Sequence, residues 1–249
     1  MTRRLQILGA ATVLLVLGMT VSAGATDAGQ PRQTLDMRFK STRPGAPTGA
    51  KVNPTWLGER PGEKAHTITG DSFTFANGAK LDFSVPTKCT ATDKRLTNAG
   101  PSVCPKSSRV GEGGVGLDIG KSVAGLPRVI RTHVAMLSGG PHQIITVFRV
   151  TNLKLGFPLR VIDRGAVNGR TMSAKNQLIP GFPPPDKYTA VKFDRLNFKR
   201  IVRGHGKNRR SFLTTPPRCP ASGEWTNTAT FDYVDGVTQN ASSASPCEG

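Results

Sequence analysis

Apolar and polar residues alternate in short runs along much of this chain. In Thr34–Lys40, Leu35, Met37 and Phe39 fall on one face and Asp36 and Arg38 on the other, the period of two that predicts a half-buried strand. Phe73 and Phe75 alternate likewise, Asn77-Gly78 offers a type I′ hairpin turn, and Leu81, Phe83 and Val85 alternate after it. Val129–Leu137 is largely apolar with Arg131 and His133 interposed, and Ile144–Val150 follows the breaker Gly139-Gly140-Pro141. Phe157–Ile162 and Tyr188–Val202 are further strand candidates. Trp225–Val234 and Val237–Ser243, joined by Asp235-Gly236, predict a closing hairpin. Helix is expected only for a turn or two within Thr90–Asn98. From Arg43 to Glu63, Pro44-Gly45, Pro47, Gly49, Pro54 and Pro61-Gly62 predict an irregular loop, pinned to the core by Trp56-Leu57.

Within Val191–Val202 the apolar residues change phase. Val191 and Phe193 are odd-numbered, whereas Leu196, Phe198 and Val202 are even, so an unbroken strand would divide them between two faces. An extra residue near Asp194-Arg195, a β-bulge, restores the phase and places Arg195, Lys199 and Arg203 together on the outer face. Arg200 and Ile201 fit neither phase. Short strands with turn signals about every 8 to 12 residues predict an all-β fold, an antiparallel β-sandwich of jelly-roll-like or Ig-like type. No internal repeat and no long linker divides the chain, so residues 26–249 are expected to form one domain.

The first 25 residues break this pattern. Arg3 and Arg4 precede the apolar run Ile7–Val21, and small residues follow at Val21-Ser22-Ala23 and Ala23-Gly24-Ala25. This is the form of a secretory signal, and the run is short of the ~20 residues that cross a bilayer. The expected location is therefore secreted or envelope-associated, with no transmembrane anchor after signal removal. Four cysteines, Cys89, Cys104, Cys219 and Cys247, read as two disulfides in an exported chain. Three pairings are open. The local ones, Cys89–Cys104 and Cys219–Cys247, are preferred because each brackets one self-contained stretch, and each stabilises by roughly 3 to 4 kcal/mol in the loop-entropy treatment.

Two stretches carry a resemblance. Pro86-Thr87-Lys88-Cys89, followed by Cys104-Pro105-Lys106-Ser107-Ser108-Arg109-Val110-Gly111-Glu112-Gly113, resembles the P-x-C…C-P-x-x-S-x-V-G-x-G pattern of uncharacterised exported actinobacterial proteins. Pro217-Arg218-Cys219-Pro220-Ala221-Ser222-Gly223-Glu224-Trp225, with Asp235-Gly236-Val237-Thr238 and Pro246-Cys247, is similar to their closing C-P-x-x-G-x-W…P-C hairpin. Thr87-Lys88 departs from the single residue usual between that proline and cysteine. The resemblance implies a secreted β-rich domain with the two local disulfides, and it carries over no catalytic or binding residue.

Catalytic signals are weak. There is no G-x-S-x-G, and no unpaired thiol is expected. His66, His133, His142 and His205 stand in unlike contexts: His205 reads as the solvated tip of a hairpin in Gly204-His205-Gly206, and His133 as a structural strand residue. No H-E-x-x-H or Asp-x-Asp loop suggests a metal, and no cofactor is expected. Gly114–Ser122 imitates a phosphate loop, but Val115 stands where its first glycine belongs.

Charge is the one functional hint. The chain has 34 Lys and Arg against 16 Asp and Glu, a formal net charge of +18. Its 28 Gly and 19 Pro make it turn-rich without a Gly-X-Y period, which excludes collagen. The basic residues crowd into Lys192–Arg210, where Arg195, Lys199, Arg203, Lys207, Arg209 and Arg210 are the candidate polyanion-binding set. Anionic cell-wall polymers or lipid headgroups are the expected partners. Nucleic acid is disfavoured, because the interleaved aromatics Phe193 and Phe198 are wanted for the core. The expected role is a non-enzymatic, envelope-associated protein. The alternatives are a secreted hydrolase with a loop-built site and a carbohydrate-binding module, for which only Trp56, Trp225, Tyr188 and Tyr233 offer platforms.

Overall fold

A computed structural model describes residues 30–121, 125–153, 158–181 and 188–249. The signal segment, Ser122 of the phosphate-loop imitation and Phe157 lie outside the described residues. The fold is mostly antiparallel β, built on one eleven-stranded, nearly closed sheet. In chain order the strands are β1 (Gln33–Phe39), β2 (Ala50–Trp56), β3 (Ile68–Thr74), β4 (Lys80–Leu81), β5 (Arg109–Asp118), β6 (Val129–Gly140), β7 (Gln143–Val150), β8 (Arg160–Asn168), β9 (Thr171–Lys175), β10 (Ala190–Phe198), β11 (Val202–Arg203), β12 (Arg210–Ser211), β13 (Leu213–Thr214), β14 (Glu224–Tyr233) and β15 (Thr238–Pro246). Their order in the large sheet is β1-β2-β10-β5-β6-β7-β8-β9-β3-β14-β15. β11 pairs with β12, and β4 pairs with β13.

The two ends of the sheet meet without a backbone ladder, and side chains join them instead. Met37 N–H donates to Ser243 Oγ at 2.9 Å and Phe39 N–H to Ser245 Oγ at 3.0 Å. Buried Asn227 on β14 donates to Met37 O at 2.9 Å and to Ser245 Oγ at 3.0 Å, and accepts from Ala76 N–H at 3.0 Å. Two exposed edges, each a template for aggregation, are thereby satisfied against each other. One core cluster draws Met37, Val52, Phe73, Val115, Met136, Met172, Phe198 and Phe231 to the inner face.

The segment between Cys89 and Cys104 covers part of the outer face. Its helix α1 (Asp93–Ala99) starts at Thr92, whose Oγ1 accepts from Arg95 N–H. Arginines of β8 hold it at both ends: Arg164 donates to Asp93 Oδ1 and Ala91 O, and Arg160 donates to Thr97 O and Asn98 O. A guanidinium at the helix C-terminus also suits the helix dipole. Leu96 of α1 packs from this cover onto Ala135, Leu137, Ile145 and Val147 beneath it. Val134–Leu137 is therefore an unbroken apolar run because β6 is buried on both faces. Cys89–Cys104 and Cys219–Cys247 both form, with Cα atoms 5.1 and 5.6 Å apart.

Several expectations are corrected. The span expected as an irregular loop contains β2, which alternates with Ala50, Val52 and Trp56 buried. Pro54 is accommodated because the β2–β10 ladder is interrupted between Leu196↔Val52 and Phe193↔Thr55, where Arg195 Nη1 donates to Pro54 O at 3.2 Å. Asn77-Gly78 forms a turn but no hairpin, since β3 pairs with β9 and β14 while β4 pairs with β13. The bulge in β10 lies between Val191 and Phe193, not at Asp194-Arg195. Consequently Asp194, Leu196 and Phe198 line the interior, while Phe193 is outside, beneath the Arg195 guanidinium at 5.2 Å. Arg203 sits on the separate strand β11, so it does not extend the row from Arg195 and Lys199.

Three aspartates reach the interior. Burial, reinforced by Asp163 and Asp232, raises Asp71 to about 6 despite a hydrogen bond from Asn176. Burial and the neighbouring Asp71 carboxyl hold Asp194 well above the usual range, and burial raises Asp163. A carboxyl that binds its proton more tightly when folded stabilises below its unfolded pKa of ~3.9 and loses that contribution as pH rises through the folded value. Urea unfolding free energy should therefore fall between about pH 4 and about pH 6, and Asp71→Asn should flatten this decline. A wild-type profile that rises over the same interval would contradict the assignment.

Candidate functional site

Strand pairing builds the strongest charged feature from residues far apart in sequence. In the outer layer His133 of β6 lies directly opposite Arg149 of β7, and Arg149 directly opposite Arg160 of β8. On the other side His133 faces Gly114 of β5, which faces Arg195 of β10. Paired strands lie ~4.8 Å apart, and like charges directly opposite one another destabilise a sheet. Gly114 has no side chain, so the rung is open between Arg195 and His133.

This rung borders a groove of about 580 Å3 at the edge of the disulfide-stapled cover. Ala135, Leu137 and Val147 form its apolar floor, and Pro101, Cys104 and Pro105 belong to the covering segment. Lys106, Arg109, His133, Arg149, Arg160 and Lys199 line it, and among the described residues no acid does. The nearby carboxylate is Glu112, 3.8 Å from Arg109 and 4.0 Å from Lys199. At those distances and exposures each contact is worth at most ~1 kcal/mol.

The groove's cations differ in freedom. Arg160 is fixed by the α1 carbonyls, and its Nε is buried without a hydrogen-bond partner. Arg149 and His133 are exposed, and no hydrogen bond or ion pair engages their side chains among the described residues. Lys199 directly follows β10 and is seated by its N–H donating to Val110 O at 2.8 Å. Glycines bring β10 and β5 this close: a Cβ at Gly113 would overlap the Arg195 carbonyl oxygen, and one at Gly116 the Phe193 ring.

The six residues expected to bind polyanions do not form one site. Lys199 lines the groove. Arg195 turns toward β2, where it donates to Thr55 Oγ1 and Pro54 O. Arg203, Lys207, Arg209 and Arg210 belong to the small β11–β12 hairpin, whose tip is a single 3-10 turn at Gly206–Asn208 after exposed His205. Arg210 is engaged by Asp82 at 2.8 Å and Ser84 at 2.6 Å. Arg203 donates to Thr87 Oγ1 at 2.8 Å, and Ser107 Oγ donates to the same atom, which places this hairpin beside the turn carrying Lys106. His133, expected as a structural strand residue, is instead an exposed member of the groove. Sequence reading did not single out Lys106, Arg109, Arg149 or Arg160, each an isolated base in an unremarkable segment.

Among the described residues, no three of His, Cys, Asp and Glu gather closely enough to hold a metal ion, and no helix is long and apolar enough to cross a membrane. Compared with protein-family models, curated proteins and solved structures, the chain matches none. The groove is chemically suited to anions: it offers guanidinium and ammonium donors above an apolar floor, with one flanking carboxylate to be displaced or screened.

Proposed function

We propose that the protein works outside the cytoplasm as a non-enzymatic binder of phosphate-rich polyanions of the cell envelope, with the basic groove as its contact surface. The Arg149–Arg160 pair of the rung carries this reading, because two opposed guanidinium groups raise the free energy of the unliganded sheet and an anion placed across them relieves the repulsion. The apolar amino-terminal run and the two disulfides support export, as does the resemblance to exported actinobacterial proteins at both cysteine motifs. A sandwich arrangement, jelly-roll-like or Ig-like, belongs to the same proposal. Its support is that one core fills the space between facing parts of the sheet.

The test is binding of the purified protein to isolated wall polymer and, in parallel, to vesicles containing anionic lipid, as a function of salt. Binding should weaken steeply from low to high salt. The double substitution Arg149→Gln/Lys199→Gln should reduce the logarithmic salt slope by about two, one for each cation removed. Comparison of the two arms identifies the source of the phosphate. Salt-insensitive binding, or a double variant that binds like wild type in both arms, would contradict the assignment.

A further inference from the structure

We propose that the acid-lined interior cavity, on the opposite face of β6 and β7 from the basic groove, binds a small organic cation, a short primary alkylammonium. The cavity holds about 90 Å3 and is bounded by residues of eight strands. Three carboxyl groups reach it: Asp71 from β3, Asp163 from β8 and Asp194 from β10. Asp71 Oδ1 accepts from Asn176 Nδ2 at 3.0 Å, but Asp194 Oδ1 is buried with no hydrogen-bond partner. Among the described residues no lysine or arginine forms an ion pair with any of the three. A buried carboxylate without a donor is costly, and it is relieved either by keeping its proton or by a cation that a ligand brings in.

The rest of the wall defines the kind of cation. Phe73, Phe148 and Phe198 present rings and Met136 and Met172 present thioethers, surfaces that suit an alkyl group and the carbons next to an ammonium. The volume accommodates about three water-sized groups at roughly 30 Å3 each, so beside the ammonium the alkyl chain is limited to about two carbons. A bare metal ion fits poorly, because the three carboxylates do not converge on one point. An ammonium instead donates along three directions and can reach acceptors that are spread apart.

The sheet provides a way in. β8 and β9 pair only from Ala166↔Ser173 to Asn168↔Thr171, and their ladder stops at Ala166. Asp71, Asp163, Ser173 and Ala174 line both the cavity and an open outer groove that also carries Asp232. The acids are thus reached from an outer groove whose rim carries Asp232 together with Arg164, itself paired with Asp93, and Lys175.

Protein carrying 13C-methyl methionine, titrated at about pH 7.5 with ethylammonium chloride, tests this. Saturable shifts are expected at the Met136 and Met172 methyls and not at Met37, which lies in the core away from the cavity lining. Sodium chloride at equal ionic strength and the neutral isostere propane should leave both methyls in place. Asp194→Asn, which keeps the shape and removes the charge, should weaken binding about tenfold. Should that variant fail to fold, Asp163→Asn is expected to weaken binding in the same sense. Unmoved methyls, equal shifts with sodium, or undiminished affinity in the folded variant would each overturn the assignment. These outcomes are independent of salt-dependent binding at the outer groove.

Discussion

Replacing Arg128 with methionine is expected to cost about 3 to 5 kcal/mol of unfolding free energy, because it strands a buried charge. Asp118 ends β5 with its side chain fully buried. Arg128 meets it as a fork, Nε to Oδ1 at 3.0 Å and Nη2 to Oδ2 at 2.9 Å, while Nη1 donates to Gly62 O at 2.7 Å. Gly120 N–H adds one more bond at 2.9 Å, which cannot neutralise the carboxylate alone. The double variant Asp118→Leu/Arg128→Met removes both charges and should recover most of the loss, since a buried ion pair gains little over apolar residues of similar volume. Urea denaturation of the two variants checks both statements. A single variant within about 1 kcal/mol of wild type would show that the carboxylate is not held as a buried charge.

Asn227→Ala should cost about 3 to 4 kcal/mol, by opening the join between the two ends of the sheet. The amide makes three bonds in a dry environment, to Ala76 N–H, Met37 O and Ser245 Oγ. Alanine leaves the first two without those partners and removes the group that orients Ser245 toward Phe39 N–H. Each buried polar atom so abandoned costs about 1 to 3 kcal/mol. Hydrogen exchange should show the loss as faster exchange at Met37 and Phe39 N–H, ahead of the amides of β6. Protection unchanged at those two positions would mean that the join does not depend on Asn227.

The local parts of this architecture are legible in the sequence. β1 and the β14–β15 hairpin follow from period-two alternation and from Asp235-Gly236, whose glycine takes φ +85 in the turn, and β6 and β7 from apolar runs on either side of Gly139-Gly140-Pro141. α1 and the two cysteine pairings also follow from local spacing. β2 escapes because the Pro and Gly density around it hides the alternation of Ala50, Val52 and Trp56, and because a proline in a doubly paired strand requires a ladder interruption that only the partner strand reveals. The bulge is signalled by a change of phase, but that change does not say which residue is extra. The structure places it at Lys192, which turns Asp194 inward and Phe193 outward.

The groove is harder to read because no window of sequence contains it. Lys106, His133, Arg149, Arg160 and Lys199 come together through register alone, and a shift of one residue between β7 and β8 would send Arg160 to the other face. The interior acids had a usable signal. Asp71 is in phase with Phe73, and Asp194 with Leu196 and Phe198, so period two by itself assigns both carboxyls to the apolar side.

The most direct test of the basic groove is to map where a polyanion binds, by following backbone amide and arginine side-chain NMR signals while inorganic polyphosphate is added at low salt. Shifts concentrated at His133, Arg149, Arg160 and Lys199, reversed by added salt, are the predicted result. Shifts confined to Lys207 and Arg209 on the hairpin, or none at any of these residues, would contradict it.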